Sequence, residues 1–284
     1  MSRDSVGASS EDECTRSRRV ESAASRLVYE HNLGAVELHS ETLKCLNDEH
    51  YLKDTIVQFY SAYLLNEICD KQVASRVHIF DSIFSGQLDK IFDDNKVNNS
   101  KLDLLGKWYN NIDIFEKHFL IFPVCSDHHW FAIIVCYPLN VRPIHWNGDE
   151  HSKNNNSTAK REGTPGIIVM DSLGLRNPLV TMKVRDFLDY EWRTKLKEIK
   201  RFSHHDLKEY FPSLPKQKNA YDCGIYMLNY IRCFLEEPDR FYRRIRRRDS
   251  ESSQILRARI REVLGSNNRE HLKALIYKVC KRYN

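Results

Sequence analysis

The chain has 284 residues, 41% hydrophobic and 29% charged, an ordinary balance for a soluble globular protein with one substantial core or two small ones. No apolar run approaches the about 20 residues a membrane helix needs, and the Ser-, Arg- and Glu-rich N-terminus has no apolar signal segment, which together exclude a spanning helix and argue against secretion. The net charge of +5 is uneven: residues 240–284 hold 14 Lys/Arg against 4 Asp/Glu, leaving 30 against 35 elsewhere, so the basic character sits in the tail and a nucleic-acid substrate is not expected.

In chain order, residues 1–25 carry almost no apolar pattern and read as a disordered segment. Residues 26–284 read as one folded domain, expected to be monomeric. Ile56, Phe59, Tyr60, Tyr63, Leu64 and Ile68 recur at helical spacing, which predicts an amphipathic helix from near Asp54, a carboxylate suited to a helix N-terminus. Val77 to Phe84 reads as a strand or short buried stretch. Leu88 to Leu105 reads as helical in parts, broken by a polar segment from Asn95 to Ser100. Phe119 to Phe122 predicts a strand ending at Pro123. A turn over Ser126, Asp127, His128 and His129 follows, then a buried strand from Trp130 to Tyr137. Residues 140–166 are polar, with an Asn run and His145-Trp146 as the one aromatic pair, and read as a surface insertion between two strands.

The next strand, Ile167 to Met170, ends in Asp171-Ser172. Val184 to Ile199 predicts a long helix. Pro212 and Pro215 bracket a loop. Tyr221-Asp222-Cys223-Gly224 leads into an apolar helix, Ile225 to Leu235, stopped by Glu236, Glu237 and Pro238. Arg240 to Arg248 holds six arginines in nine residues. Such a run suits nuclear targeting or an acidic partner, and residues 240–284 as a whole read as a basic helical region. Two further helices are expected, Ser253 to Leu264 and Arg269 to Lys281.

The eight cysteines form no CxxC pair, and no His or Cys cluster has zinc-like spacing. Seven read as core or incidental thiols. Cys223 differs because it opens a helix after a loop, where free N–H groups and the helix dipole favour an anion such as a thiolate. Gly224 lets the backbone approach closely, as an entering acyl group requires.

A thiolate nucleophile needs an imidazole as base and later as acid. His129, at the head of a strand beside an aromatic, fits that role. Asp171 closes the neighbouring strand and could orient the imidazole. Gln217, six residues before Cys223 on the same loop, can supply an oxyanion donor together with the Cys223 backbone N–H. Each residue alone has an ordinary structural reading; the order His, Asp, Gln, Cys-Gly is what carries the signal.

That order resembles the ubiquitin-like-protein proteases, also called sentrin- or SUMO-specific proteases. The matching pieces are His129-Trp130 before an apolar strand, Ile168 to Leu173, and Gln217 to Tyr226, within a likeness covering roughly residues 35–282. The resemblance implies an α+β fold of the papain-like cysteine protease superfamily, with a central mixed sheet flanked by helices. It implies hydrolysis of the bond after a modifier's Gly-Gly terminus, with SUMO and SUMO-conjugated proteins as partners, no metal or cofactor, and nuclear or also cytoplasmic residence.

Trp130 would roof the tunnel for the diglycine tail, and Tyr51 and Asp54 would touch the modifier. Asn111 to Lys117, the insertion and the Phe59-Tyr60 helix are similar to the branch that trims poly-SUMO chains. Two positions depart from the family pattern: Lys53 stands where Asn is common, and Lys216 where Gln is common. A protease for another ubiquitin-like modifier, an acetyltransferase of the same fold and an inactive binding module are the alternatives. The intact His129, Asp171, Gln217, Cys223 set argues against the last.

Overall fold

Phe119–Ser126 and His129–Cys136 form the axis of the structure, a computed structural model that describes residues 26–32, 34–92, 102–103, 105–106, 112–141 and 163–283. The strands are β1 (Arg26–His31), β2 (Gly34–His39), β3 (Val77–Ile79), β4 (Phe119–Ser126), β5 (His129–Cys136), β6 (Gly166–Met170), β7 (Lys208–Tyr210) and β8 (Lys281–Tyr283). The longer helices are α1 (Asp54–Tyr63), α2 (Ser82–Phe92), α3 (Pro178–Leu196), α4 (Cys223–Glu236), α5 (Pro238–Arg247), α6 (Ser250–Ser266) and α7 (Arg269–Val279). The main sheet has the order β3-β4-β5-β6-β7. Its outer pairs are parallel and its central ones antiparallel, so it is mixed, as expected. A small antiparallel sheet, β2-β1-β8, ties residues 26–39 to 281–283.

Period-two alternation splits the central strands between two cores. Trp130, Ala132, Ile134 and Cys136 of β5 face one cluster, with Ile56, Phe59 and Tyr60 of α1 and most of α4. Phe131, Ile133 and Val135 face the other, with Phe84 and Leu88 of α2 and Val184, Phe187 and Leu188 of α3. Each fully buried Val, Leu, Ile or Phe among these stabilises the fold by about 1.5–3 kcal/mol relative to exposure. Both faces of β5 are therefore covered, which explains its unbroken apolar run. Ile114 and Phe115 also belong to the second core, where Phe115 meets Trp192 edge-on with ring centroids 4.8 Å apart.

Several boundaries differ from the sequence expectation. β4 does not stop at Pro123 but runs to Ser126, with Pro123 opposite Ala132. β3 reaches only as far as Ile121 on the other side of β4, so the proline's missing N–H interrupts no ladder there. Helix α3 starts at Pro178, six residues before Val184, because proline suits the first helical position. Leu179 and Met182 in that first turn are exposed, which hid the apolar periodicity. Only Val77–Ile79 of the Val77–Phe84 stretch is strand; Phe80 and Asp81 connect it to α2, which starts at Ser82. The arginine run folds as helix α5, with Phe241, Tyr242 and Ile245 buried. The expected disordered segment 1–25, the polar segment 95–100, Asn111 and residues 142–162 of the insertion with His145-Trp146 lie outside the described residues.

Candidate active site

Ser126 pairs with His129 across a two-residue turn, with Asp127 at φ 49° and His128 at φ 61°. Two left-handed central residues define the hairpin turn whose twist matches that of the flanking strands. The turn makes His129 the first residue of β5. On the neighbouring strand Ala132 pairs with Met170, so Asp171 leaves β6 beside the same end. The insertion joins the opposite ends of these strands, where Cys136 pairs with Gly166.

His129 Nε2 lies 2.9 Å from Asp171 Oδ2. The Asp171 carboxylate is almost wholly enclosed and accepts three further bonds, from the Leu173 and Gly174 backbone N–H groups at 2.7 and 2.9 Å and from Asn177 Nδ2 at 3.0 Å. Burial alone would raise its pKa, but the bond to His129 and these donors outweigh burial and lower it. For His129, burial favours the neutral ring, yet Asp171 and then Cys223 favour the imidazolium and hold the pKa up at about 9. With Nε2 engaged by Asp171, Nδ1 is the ring nitrogen left for the thiol.

Cys223 is the first residue of α4, as expected, and is 1% exposed. Its Sγ lies 3.9 Å from the His128 carbonyl oxygen. Seven of the eight cysteines are described, and all are free. Burial pushes the Cys69, Cys125 and Cys280 thiols up to about 11 and Cys233 to about 12, so these stay protonated near neutrality.

Gln217 sits on the loop before α4. Its Oε1 accepts the Ser172 hydroxyl and its Nε2 donates to the Asn219 carbonyl at 2.7 Å. The amide orientation is thereby fixed, and one Nε2 hydrogen remains for a developing oxyanion. Asn219 Oδ1 accepts the N–H groups of Tyr221 and Asp222 at 3.2 and 3.0 Å, shaping the turn into Cys223.

The three expected substrate contacts are placed differently from one another. Trp130 is buried at 1% exposure, and its indole N–H donates to the Leu52 carbonyl at 3.0 Å. Tyr51 is exposed and stacks on His128 with ring centroids 6.0 Å apart. Asp54 is exposed at the start of α1, and no side chain caps that helix. Leu52 also explains Gly224: a Cβ there would stand 2.8 Å from Leu52 Cδ1. In this state the space that glycine opens is filled by leucine.

The family model described as "Ulp1 protease family, C-terminal catalytic domain" matches residues 50–262, three quarters of the chain, and spans His129, Asp171, Gln217 and Cys223.

The chain belongs to the Ulp1 protease family.

Among curated family members, it is 26% identical over 250 residues to Sentrin-specific protease 7 of Homo sapiens, covering 72% of this chain and 24% of that one. It is 27% identical over 221 residues to Ubiquitin-like-specific protease 2 of Schizosaccharomyces pombe, covering 72% and 34%. The chain thus spans about a quarter to a third of the length of these relatives. A solved structure titled "Crystal structure of the de-sumoylating protease" superposes with a TM-score of 0.71 at 20% identity, covering 89% of this chain and 91% of that one, and shows the shared papain-like protease fold.

Arg269 lies outside the stretch matched by the family model, yet it braces this family's site. Its guanidinium is buried and donates to Asp222 Oδ1 (2.8 Å) and to the carbonyls of Cys45 (2.8 Å), Asn47 (3.1 Å), His50 (2.7 Å) and Tyr221 (2.9 Å). One side chain thus joins the loop before Cys223 to the loop that carries Tyr51 and Leu52. Sequence reasoning missed it, along with Ser172, Asn177 and Asn219. Ser172 and Asn219 could have been sought as polar neighbours of Asp171 and Gln217. Nothing in spacing links residue 269 to residue 222.

Proposed function

We propose that the chain is a SUMO-specific cysteine isopeptidase that hydrolyses the bond after the modifier's C-terminal Gly-Gly, with a preference for poly-SUMO chains. The single observation that carries this reading is the His129–Asp171 pair at 2.9 Å, set beside Cys223 at the start of α4. The modifier is read from the relatives, one named Sentrin-specific protease 7 and one structure titled a de-sumoylating protease. Residues 26–284 act as the catalytic unit, with residues 140–166 as its insertion.

Cys223 gives its proton to His129 and attacks the glycine carbonyl as thiolate. The oxyanion takes a hydrogen bond from Gln217 Nε2 and another from the Cys223 backbone N–H. His129 then donates its proton to the leaving lysine amine as the C–N bond breaks, leaving a thioester. A water gives its proton to His129 and attacks the thioester, and the modifier leaves as a carboxylate with the thiol restored. Asp171 keeps the imidazole oriented throughout.

Trp130, Tyr51 and Asp54 are assigned to modifier contact. Trp130 and Cys223 are each 1% exposed, so the Gly-Gly tail enters by displacing Leu52 and its neighbours from above Gly224. No cofactor enters these steps. The enzyme acts as a monomer in the nucleus, a location supported by the basic surface of α5 and tested by imaging a tagged chain.

The test is labelling by a panel of C-terminal electrophilic probes derived from SUMO, ubiquitin and other ubiquitin-like modifiers. Labelling by the SUMO probe alone supports the reading. Labelling by another modifier's probe, without SUMO, overturns it.

A further inference from the structure

The arginine run has no place in the mechanism, and the structure gives it a specific surface. Arg248, at the end of α5, lies over the Tyr210 ring at 5.2 Å, and Arg176 lies over the Phe211 ring at 5.1 Å. The two guanidinium groups line one cleft of about 370 Å³, whose floor includes Ile245 and Leu256. Neither pairs with a carboxylate among the described residues, and neither do Arg243, Arg244, Arg246 and Arg247 on the adjoining helix. The acid beside Arg248 is already engaged: Asp249 accepts the Ser252 N–H and hydroxyl at the start of α6.

We infer that this cleft docks an acidic, leucine-bearing segment of the conjugated protein. This rests on the isopeptidase reading above. Three observations point to that partner. A guanidinium held over a ring keeps N–H groups at its edge for a carboxylate; Arg248 Nη2 also donates to the Glu209 carbonyl at 3.5 Å, and the remaining N–H groups of the two arginines face the cleft's apolar floor. Pro212, Ile245 and Leu256 also line the cleft and supply its apolar surface. Finally, the walls of the cleft are the loops that deliver the catalytic groups. Arg176 is followed by Asn177, which bonds Asp171, and Phe211 stands six residues before Gln217. A nucleic acid fits less well, because single strands stack bases on open aromatic faces and these rings already carry arginines.

Fluorescence anisotropy tests the docking directly. The probes are a fluorescein-labelled glutamate-rich peptide with interspersed leucines, its glutamine counterpart and a labelled oligothymidine. The acidic peptide should bind roughly tenfold tighter than the glutamine peptide, and the Arg176→Gln, Arg248→Gln double variant should remove that difference. Affinity unchanged in the variant overturns the inference. So does tighter oligothymidine binding that the same variant removes, which would make the cleft a nucleic-acid site. Labelling by a mono-SUMO electrophile should match wild type in the variant and reports that the site is folded. If the double variant loses labelling, Arg176→Gln alone, on its exposed loop, decides the same comparison. If wild type resists the SUMO probe, the isopeptidase reading falls while peptide binding still judges the cleft. In turnover, kcat/KM should favour SUMO linked to the acidic peptide over the glutamine peptide, and the double variant should equalise them; equal values in wild type contradict the inference.

Discussion

Arg269 Nε donates to Asp222 Oδ1 at 2.8 Å, one residue before the thiol that opens α4. Lysine at that position has a single charged point and cannot reproduce a fork that also reaches four carbonyl groups. Arg269→Lys should therefore destabilise the fold by about 2–4 kcal/mol, since buried acceptors and the Asp222 charge lose their donor. Denaturant unfolding of the variant measures this. An additional drop in the rate of electrophile labelling, in variant protein shown to be folded, would report displacement of the Cys223 turn. Wild-type stability in Arg269→Lys would show that the five bonds contribute nothing.

The histidine–aspartate pair sets the pH dependence. The His129 pKa is raised to about 9 in the folded chain from an ordinary 6.5, so its contribution to stability is complete below about 6.5 and disappears as pH rises through about 9. Asp171 is shifted the other way, so its contribution is present above about 3.8 and is lost as pH falls through its lower folded value. The leaving amine needs the imidazolium, so kcat/KM should fall along an alkaline limb near pH 9. Asp171→Asn should move that limb down by about one unit or more. A limb that stays put in Asp171→Asn would remove the carboxylate from this role.

Gln217 and Ser172 should separate kinetically. Losing one oxyanion donor typically lowers kcat by about 10²–10³. Gln217→Ala should do so with KM nearly unchanged. Ser172→Ala removes only the hydroxyl that orients the amide, so its loss in kcat should be smaller, roughly tenfold, and should vanish in the Gln217→Ala background. Steady-state rates of the two single variants and the double variant decide this. Additive losses would mean that Ser172 acts elsewhere.

The insertion has a removable portion. Val141 is buried in the second core and Asn140 Nδ2 donates to the Gly163 carbonyl at 2.7 Å, so the two ends of the excursion are already joined. Residues 142–162 replaced by a short Gly/Ser linker should leave thermal stability and mono-SUMO probe labelling unchanged, because both ends lie at the far end of β5 and β6 from His129. Cleavage of long SUMO chains should slow if the segment meets a second SUMO unit. Loss of mono-SUMO labelling would make the segment part of the site.

The central sheet was legible because β5 and β6 are buried on both faces and read as continuous apolar runs. Residue order then brought His129, Asp171, Gln217 and Cys223 together, since two strand ends and one helix start are positions that sequence can mark. The β1–β2 hairpin was not legible. Its buried faces, Leu27 with Tyr29 and Val36 with Leu38, are short, and its third strand lies at the opposite end of the chain. The start of α3 was hidden by exposed leucine and methionine, and Pro123 by a strand edge that needs no donor. Arg269 escaped because a buried arginine is chosen by the carbonyls of distant loops, which no local pattern encodes. The family resemblance carried the reading of Trp130 as a roof; in the structure its indole N–H donates to the Leu52 carbonyl.

The most direct test of the proposed chemistry is turnover of an isopeptide-linked SUMO conjugate by Cys223→Ser beside wild type, with binding of the conjugate measured in parallel. Cys223→Ser should still bind the conjugate and lose roughly three orders of magnitude or more in rate, because thiol and imidazole act as a unit. A Cys223→Ser variant that binds normally and keeps more than about a tenth of wild-type turnover would contradict it.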